Sequence, residues 1–256
     1  MNDKKVGSVP SKLEVDNLLK HYQNEHYDDA ETLATSLTIK FPKYQFAWKV
    51  LGAILKKAGR MEESLVVSRN SIRLAPKDAE ARYNLSITLQ QLGRLSEAAA
   101  ELRQAIALKP DFFEARYNLG NMLRELNKLE EAEASYKQAI KLKPIFAEAH
   151  NNLGSIQLEL GKLEEAEISY RNALELRSNY TEAHTNLGNT LQEQGRLDEA
   201  KQSYKLAITF NSNYAEAHNK LGKLLLRIGL HSEALDEQMI GGGFISFNLR
   251  TGFSVL

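Results

Sequence analysis

The chain has 256 residues, and its 33 Lys and Arg balance its 33 Asp and Glu, so the formal net charge is zero. A balanced charge argues against a dedicated nucleic-acid binder, which needs a basic surplus to neutralise phosphates. The absence of cysteine excludes disulfides and thiolate metal sites, and no stretch approaches the roughly 18 apolar residues of a membrane span.

The first 44 residues differ from the rest of the chain. Residues 1–10, MNDKKVGSVP, lack the apolar segment of a secretory signal. We expect them to form a flexible N-terminal segment of a soluble, cytoplasmic protein. Residues 11–44 keep Ala30 and Pro42 at the places that later segments use, but Leu18 and Glu25 replace a small residue and a glycine. A degenerate pair of this kind is typical of a solenoid cap.

From residue 45 onward, one pattern returns every 34 residues. It is most visible in the segments QFAWKVLG (45–52), AEARYNLS (79–86), FEARYNLG (113–120), AEAHNNLG (147–154), TEAHTNLG (181–188) and AEAHNKLG (215–222). A fixed period of this length indicates stacked repeats. The predicted repeats are 45–78, 79–112, 113–146, 147–180, 181–214 and 215–240.

Each repeat predicts a helix, a turn and a second helix. With positions numbered from the first residue of a repeat, apolar or small residues occupy positions 4, 7, 8 and 11, and then 20, 24, 27 and 28. These spacings place one apolar stripe on each of two helices. Position 15 is nearly always Gly, which suits a helix C-terminus, and proline near position 32 ends the second helix.

The last residues, 241–256, break the pattern. Gly241, Gly242 and Gly243 end the last helix, and FISFNLRTGFSVL (244–256) is dense in strand-forming residues around a turn. This tail could be a β-hairpin that starts a further domain, or it could cap the last repeat. Exposed apolar side chains here would also promote self-association; these are Phe244, Ile245, Phe247 and Phe253.

The repeat columns, together with Trp48, Tyr136, Tyr170 and Tyr204, resemble the tetratricopeptide repeat (TPR) family over roughly residues 11–240. The resemblance implies an all-α, right-handed superhelical solenoid of antiparallel helix pairs, whose first helices line a concave groove. The phrase AEAHNNLG is similar to repeats that precede the catalytic domain of protein O-linked N-acetylglucosamine transferases. In those enzymes, the resemblance implies, an asparagine ladder binds substrate polypeptide.

Asparagine recurs at position 6, on the side of the first helix away from the predicted apolar stripe. Asparagine is unfavourable in helix interiors, but its amide offers two hydrogen-bond donors and an acceptor that could hold a peptide backbone. The alternative is that the column is inherited by duplication or bonds between repeats. The predicted groove residues are Asn84, Asn118, Asn152 and Asn186, with Asn121 and Asn189 at position 9 and Tyr83 and Tyr117 at position 5.

Other recurring polar residues have simpler explanations. Glutamate at position 2 suits the positive end of a helix dipole, although the column could also make the groove mildly acidic. His150, His184 and His218 share position 4 with Trp48. We expect them to pack, because neighbouring repeats, about 10 Å apart, are too distant to share a metal ligated at about 2.1 Å.

We therefore predict a protein-interaction scaffold that binds an extended polypeptide or a partner subunit, with no catalytic residues, no cofactor and no metal. The alternative is the substrate-recruiting region of a modifying enzyme, such as a glycosyltransferase, whose catalytic domain lies beyond residue 256.

Overall fold

A computed structural model describes residues 9–242 in full and the backbone of 245–248 and 252–255. The described residues form helices in pairs: α1 (Lys12–Gln23), α2 (Tyr27–Lys40), α3 (Gln45–Lys57), α4 (Met61–Leu74), α5 (Ala79–Gln91), α6 (Leu95–Leu108), α7 (Phe113–Glu125), α8 (Leu129–Leu142), α9 (Ala147–Glu159), α10 (Leu163–Leu176), α11 (Thr181–Glu193), α12 (Leu197–Phe210), α13 (Ala215–Arg227) and α14 (His231–Ile240). The all-α prediction is confirmed. Residues 1–8, predicted to be flexible, lie outside the described residues.

The turn within each pair is closed by the same backbone device. Position 15 adopts a left-handed conformation at Gly59, Gly93, Gly161, Gly195 and Gly229, with φ between 71° and 84°. The amide of position 16 then donates to the carbonyl of position 11, as Arg60 does to Leu55 at 2.9 Å. This is the pattern of a Schellman motif, in which glycine is favoured because it has no Cβ.

The chain divides into two compact units, Met1–Lys128 and Leu129–Leu256. In the first unit a core cluster joins α1 to α4, with the fully buried Leu18, Ala34 and Leu37 at its centre. Ala34 stands at the position that Tyr170 and Tyr204 occupy in later pairs, so a larger residue at Leu18 accompanies a smaller one on α2. The assignment of α1 and α2 as a cap stays a prediction. In the second unit a core cluster joins α10 to α14 around Tyr170 and Tyr204.

The first helices bury more of their surface than the predicted stripe. Alanine at position 3 is at most 3 % exposed in all six repeats, and position 10 is at most 1 % exposed. Position 4, in contrast, is only half-buried in most repeats. The reason is that a first helix packs against the second helix of its own pair and also against that of the preceding pair, as α11 does against α12 and α10. The predicted stripe of positions 4, 7, 8 and 11 was therefore too narrow.

Glycine at position 8 brings the two helices of a pair together. A Cβ added at Gly188 would lie 2.5 Å from Cε1 of Tyr204, and one at Gly154 would lie 2.8 Å from Cε1 of Tyr170. Both tyrosine side chains are completely buried. The aromatic ring thus occupies the volume that a larger residue at position 8 would need.

The tail contains two short strands, β1 (Ile245–Asn248) and β2 (Gly252–Val255), which pair antiparallel with Ile245 opposite Val255. This is the pairing that a hairpin requires. Gly243, Phe244 and residues 249–251 lie outside the described residues, as do the side chains of both strands. The prediction that this tail drives self-association therefore falls outside them too.

Candidate functional site

Position 4 ties the start of each first helix to the preceding loop. Where position 4 is Trp or Arg, its side chain donates a hydrogen bond to the carbonyl oxygen six residues earlier. Where it is His, a ring nitrogen lies within hydrogen-bond distance of that oxygen. His184 Nε2 lies 2.9 Å from the Ser178 carbonyl oxygen, and His218 Nε2 lies 3.0 Å from that of Ser212. Trp48 makes the same contact with Pro42. Each periodic histidine thus connects its helix to the loop before it. Burial lowers the pKa of His184.

In the first unit, position 5 contacts polar groups of the next repeat. The amide nitrogen of Asn118 donates to the Tyr83 hydroxyl at 3.0 Å. Tyr83 is half-buried and its ring centroid lies 5.0 Å from that of Phe112. Burial raises the pKa of Tyr83, and the bond from Asn118 opposes that shift. Tyr83, predicted to flank the asparagine column, thus lies directly against it.

The second unit repeats this connection with an asparagine. Asn151 at position 5 is completely buried. Its Oδ1 accepts from Asn186 Nδ2 at 3.2 Å, and its own Nδ2 donates to Glu182 Oε1 at 3.1 Å. Asn151 was not among the predicted site residues. The sequence could have predicted this contact, because Asn186 follows Asn151 by 35 residues, just as Asn118 follows Tyr83.

The predicted asparagines therefore occupy an intermediate environment. Asn84, Asn118, Asn152 and Asn186 are all half-buried. The proposed bonding between repeats, one of the two explanations left open by the sequence, exists for Asn118 and Asn186. A single bond of this type uses one N–H of an amide that has two N–H groups and an acceptor oxygen.

The remaining predicted residues have different surroundings. Asn84 lines a small pocket together with Lys49, Lys56 and Thr88, among other residues. Asn189 accepts a hydrogen bond from the Tyr204 hydroxyl at 2.9 Å. It is thus held by the second helix of its own repeat. Asn121 and Tyr117 are half-buried on α7.

Comparison with known proteins identifies the repeats. The profile of a family described as "TPR repeat" matches residues 88–123, 120–161, 154–195 and 189–229, which together span more than half of the chain. The chain belongs to the TPR repeat family. A comparison with curated proteins found no match.

Solved TPR structures share the fold. A TPR protein from Parabacteroides merdae ATCC 43184 has a TM-score of 0.69 at 15% identity, covering 90% of this chain and 91% of that chain. Pseudomonas aeruginosa pilF has a TM-score of 0.65 at 22% identity, covering 76% and 89%. YrrB, described as "a TPR protein with an unusual peptide-binding site", has a TM-score of 0.58 at 23% identity, covering 68% and 90%. The likeness confirms the TPR solenoid class.

The glutamates at position 2 of these TPR repeats are largely engaged. Glu80 accepts from Lys49 Nζ at 2.9 Å, and Glu216 accepts from the Tyr214 hydroxyl at 2.9 Å. Glu148 pairs with Arg177, and although burial alone would raise its pKa, the hydrogen bond from Arg177 leaves the pKa of this carboxyl below its usual range. Lys49 and Arg177 therefore offset the negative charge of two of these glutamates. Among the described residues, no helix is both long and apolar enough to cross a membrane.

Proposed function

We propose that this TPR protein is an interaction scaffold in which the first helices of each unit bind an extended polypeptide through their position-6 amides. Asn84 and Asn118 would act in the first unit, and Asn152 and Asn186 in the second. Asn121, Asn189, Tyr83 and Tyr117 would border these contacts. The observation that carries the proposal is the half-burial of all four position-6 asparagines.

The bonds between repeats favour recognition because they fix the amides before a ligand arrives. Asn118 is held by Tyr83, and Asn186 by Asn151. Ordering a free side chain on binding costs about 0.5–1.5 kcal/mol, and an amide that is already oriented avoids most of that cost. Its second N–H and its oxygen can then pair with a peptide carbonyl and N–H. Backbone pairing of this kind tolerates many peptide sequences.

Two further facts are consistent with the proposal. TPR repeats fit a protein-binding role, and YrrB, which has the same fold, is described as having a peptide-binding site. The resemblance to transferase repeats suggests a finer version, in which the bound polypeptide is the substrate of a modifying enzyme. Both versions use the same face, so one binding experiment serves both.

The experiment uses a peptide selected on the full-length protein from a phage-displayed random library and measured by fluorescence polarisation. Asn118→Ala removes one amide, and we expect binding in the first unit to weaken about fivefold, because a hydrogen bond contributes about 1 kcal/mol. Asn186→Ala tests the second unit in the same way.

Tyr83→Phe is the matched control. It removes the hydroxyl that orients Asn118 but leaves the amide in place, so we expect it to weaken binding by no more than the ordering cost of about 0.5–1.5 kcal/mol. Adding Asn118→Ala to Tyr83→Phe should weaken binding further, because the bonds of the amide to the peptide are then lost as well. If the added Asn118→Ala changes nothing, Asn118 acts only between repeats. If no peptide is selected, or if Asn118→Ala and Asn186→Ala both bind as the unaltered protein does, the proposal is wrong.

A further inference from the structure

A cluster of two imidazoles and a carboxylate lies at the turn between α1 and α2. One ligand atom from each of His21, His26 and Asp29 lies within 4.8 Å of the other two. His21 Nδ1 is 3.7 Å from Asp29 Oδ2, and the two imidazole centroids are 6.1 Å apart. Two imidazoles and one carboxylate are a ligand set that zinc and related transition metals accept.

The turn itself holds the two histidines together. The amide of His26 donates to the His21 carbonyl at 3.0 Å, and Glu25 adopts the left-handed conformation with φ 60°. With the first pair numbered from Ser11, His21, Glu25 and His26 are at positions 11, 15 and 16. Every described pair closes its turn in this way. The backbone therefore fixes His21 and His26 across a tight turn, and Asp29 follows within the first turn of α2.

The corresponding residues of the other pairs show how unusual this cluster is. At position 11, where His21 stands, five of the six repeats have a leucine that is at most 3 % exposed, and the other has Gln157. At positions 16 and 19, where His26 and Asp29 stand, Arg60 pairs with Glu63 and Arg196 pairs with Glu199, each at 2.6 Å. The first pair thus replaces a core leucine and a surface arginine with histidine, and these two changes face the same carboxylate.

The surroundings favour a cation. His21 Nδ1 is buried and has no hydrogen-bond partner among the described residues, so a polar atom beside Asp29 is left unsatisfied. Such an atom carries a free-energy cost that a ligand would remove. The carboxylates of Glu25 and Asp28 lie in the same turn and are exposed, which adds negative charge near the cluster.

We propose that His21, His26 and Asp29 bind a zinc ion, with solvent completing a tetrahedral shell. Bonds of about 2.0–2.2 Å require the three ligand atoms to approach one another more closely than the 4.8 Å limit that they now satisfy. His26 and Asp29 are exposed and can rotate to do so. The bound ion would fasten α1 to α2 at this end of the first unit. The sequence alone predicted no metal site, because it drew attention to the evenly spaced histidines instead.

The test is isothermal titration of the full-length protein with zinc chloride at neutral pH, after removal of metals with a chelator. We expect one zinc per chain. His26→Ala and Asp29→Asn should each weaken binding at least tenfold. Asp28→Asn is the matched control, since it removes the same charge from an adjacent residue at the start of α2, and it should change the affinity less than threefold.

A second measurement locates the ion. Zinc is expected to shift the NMR signals of the His21 and His26 rings and to leave those of His150 unchanged, while circular dichroism shows whether the variants keep their helices. The absence of binding heat would overturn the proposal. So would equal affinities for Asp29→Asn and Asp28→Asn, or shifts confined to other histidines.

Discussion

The close packing of glycine against tyrosine gives a sharp test of how these helix pairs are built. In Gly188→Ala, the added Cβ would lie 2.5, 2.7 and 2.9 Å from three atoms of the Tyr204 ring. Favourable carbon contacts lie at about 3.5–4.0 Å, so the ring or the helix must move by about 1 Å. Tyr204 is completely buried and its hydroxyl is bonded to Asn189, which leaves the ring little freedom.

The net effect combines two terms of opposite sign. Overpacking a well-filled core costs about 1–3 kcal/mol, and the overlap of three ring atoms places this substitution near the upper end. Replacing glycine by alanine inside a helix returns about 1 kcal/mol. We therefore expect Gly188→Ala to lower the free energy of unfolding by about 2 kcal/mol.

Gly52→Ala is the matched control at the same repeat position. Its Cβ would meet Ser68 Oγ at 2.9 Å, and the next atoms lie 3.8 Å away. A serine hydroxyl can rotate, so the helix term should dominate and stability should stay constant or rise by up to about 1 kcal/mol.

Urea unfolding followed by far-ultraviolet circular dichroism measures both variants. With a denaturant slope of about 1–3 kcal/mol/M, Gly188→Ala should lower the midpoint by about 1 M relative to the unaltered protein. The cost should shrink when Tyr204 is first replaced by leucine, because the colliding ring is gone. Equal midpoints for Gly188→Ala and Gly52→Ala, or an undiminished cost without the ring, would refute the packing argument.

Two further predictions concern titratable groups in the second unit. Burial lowers the pKa of His184, so the unfolded chain binds the proton more tightly, and stability is expected to fall as pH drops below about 6.5. His184→Gln should make this fall shallower in urea titrations between pH 7.5 and 5.5. An unchanged dependence of stability on pH would contradict the assignment to His184. Burial alone would raise the pKa of Glu133, but hydrogen bonds from Lys137 and Lys162 leave the pKa lowered. The stability that ionised Glu133 contributes is therefore present above its unfolded pKa and is lost as pH falls through its folded pKa. Glu133→Gln should cost about 1–2 kcal/mol at pH 7 and little below pH 3, and an equal cost at both pH values would show that the charge is not responsible.

Much of the local structure was readable from the chain. Helix pairs recur in the described residues at the 34-residue period of the sequence, and left-handed turns lie at the recurring glycine, as at Gly59 and Gly195. Such features depend on residues within a few positions of one another, so a repeated sequence repeats them. The turn at Asn127 was less visible, although asparagine is the residue that best replaces glycine there.

The width of the buried surface could not be predicted in the same way. The sequence placed Asn118 and Asn186 opposite the core, whereas both are half-buried and bonded to the preceding repeat. A helical wheel describes one helix against one partner, but a first helix here packs against the second helices of two pairs. Residues that a single apolar stripe leaves exposed are then enclosed from the side.

The sequence by itself determined the repeat, its two helices and the residue types on the first-helix face. Tertiary packing decided which of those residues meet: Asn151 with Asn186 and Glu182, and Tyr83 with Asn118. These partners are 31 to 35 residues apart, and their contact depends on how far each pair rotates and shifts on the one before it. That rotation depends on how many side chains of neighbouring repeats pack together, so it cannot be predicted from the sequence of a single repeat.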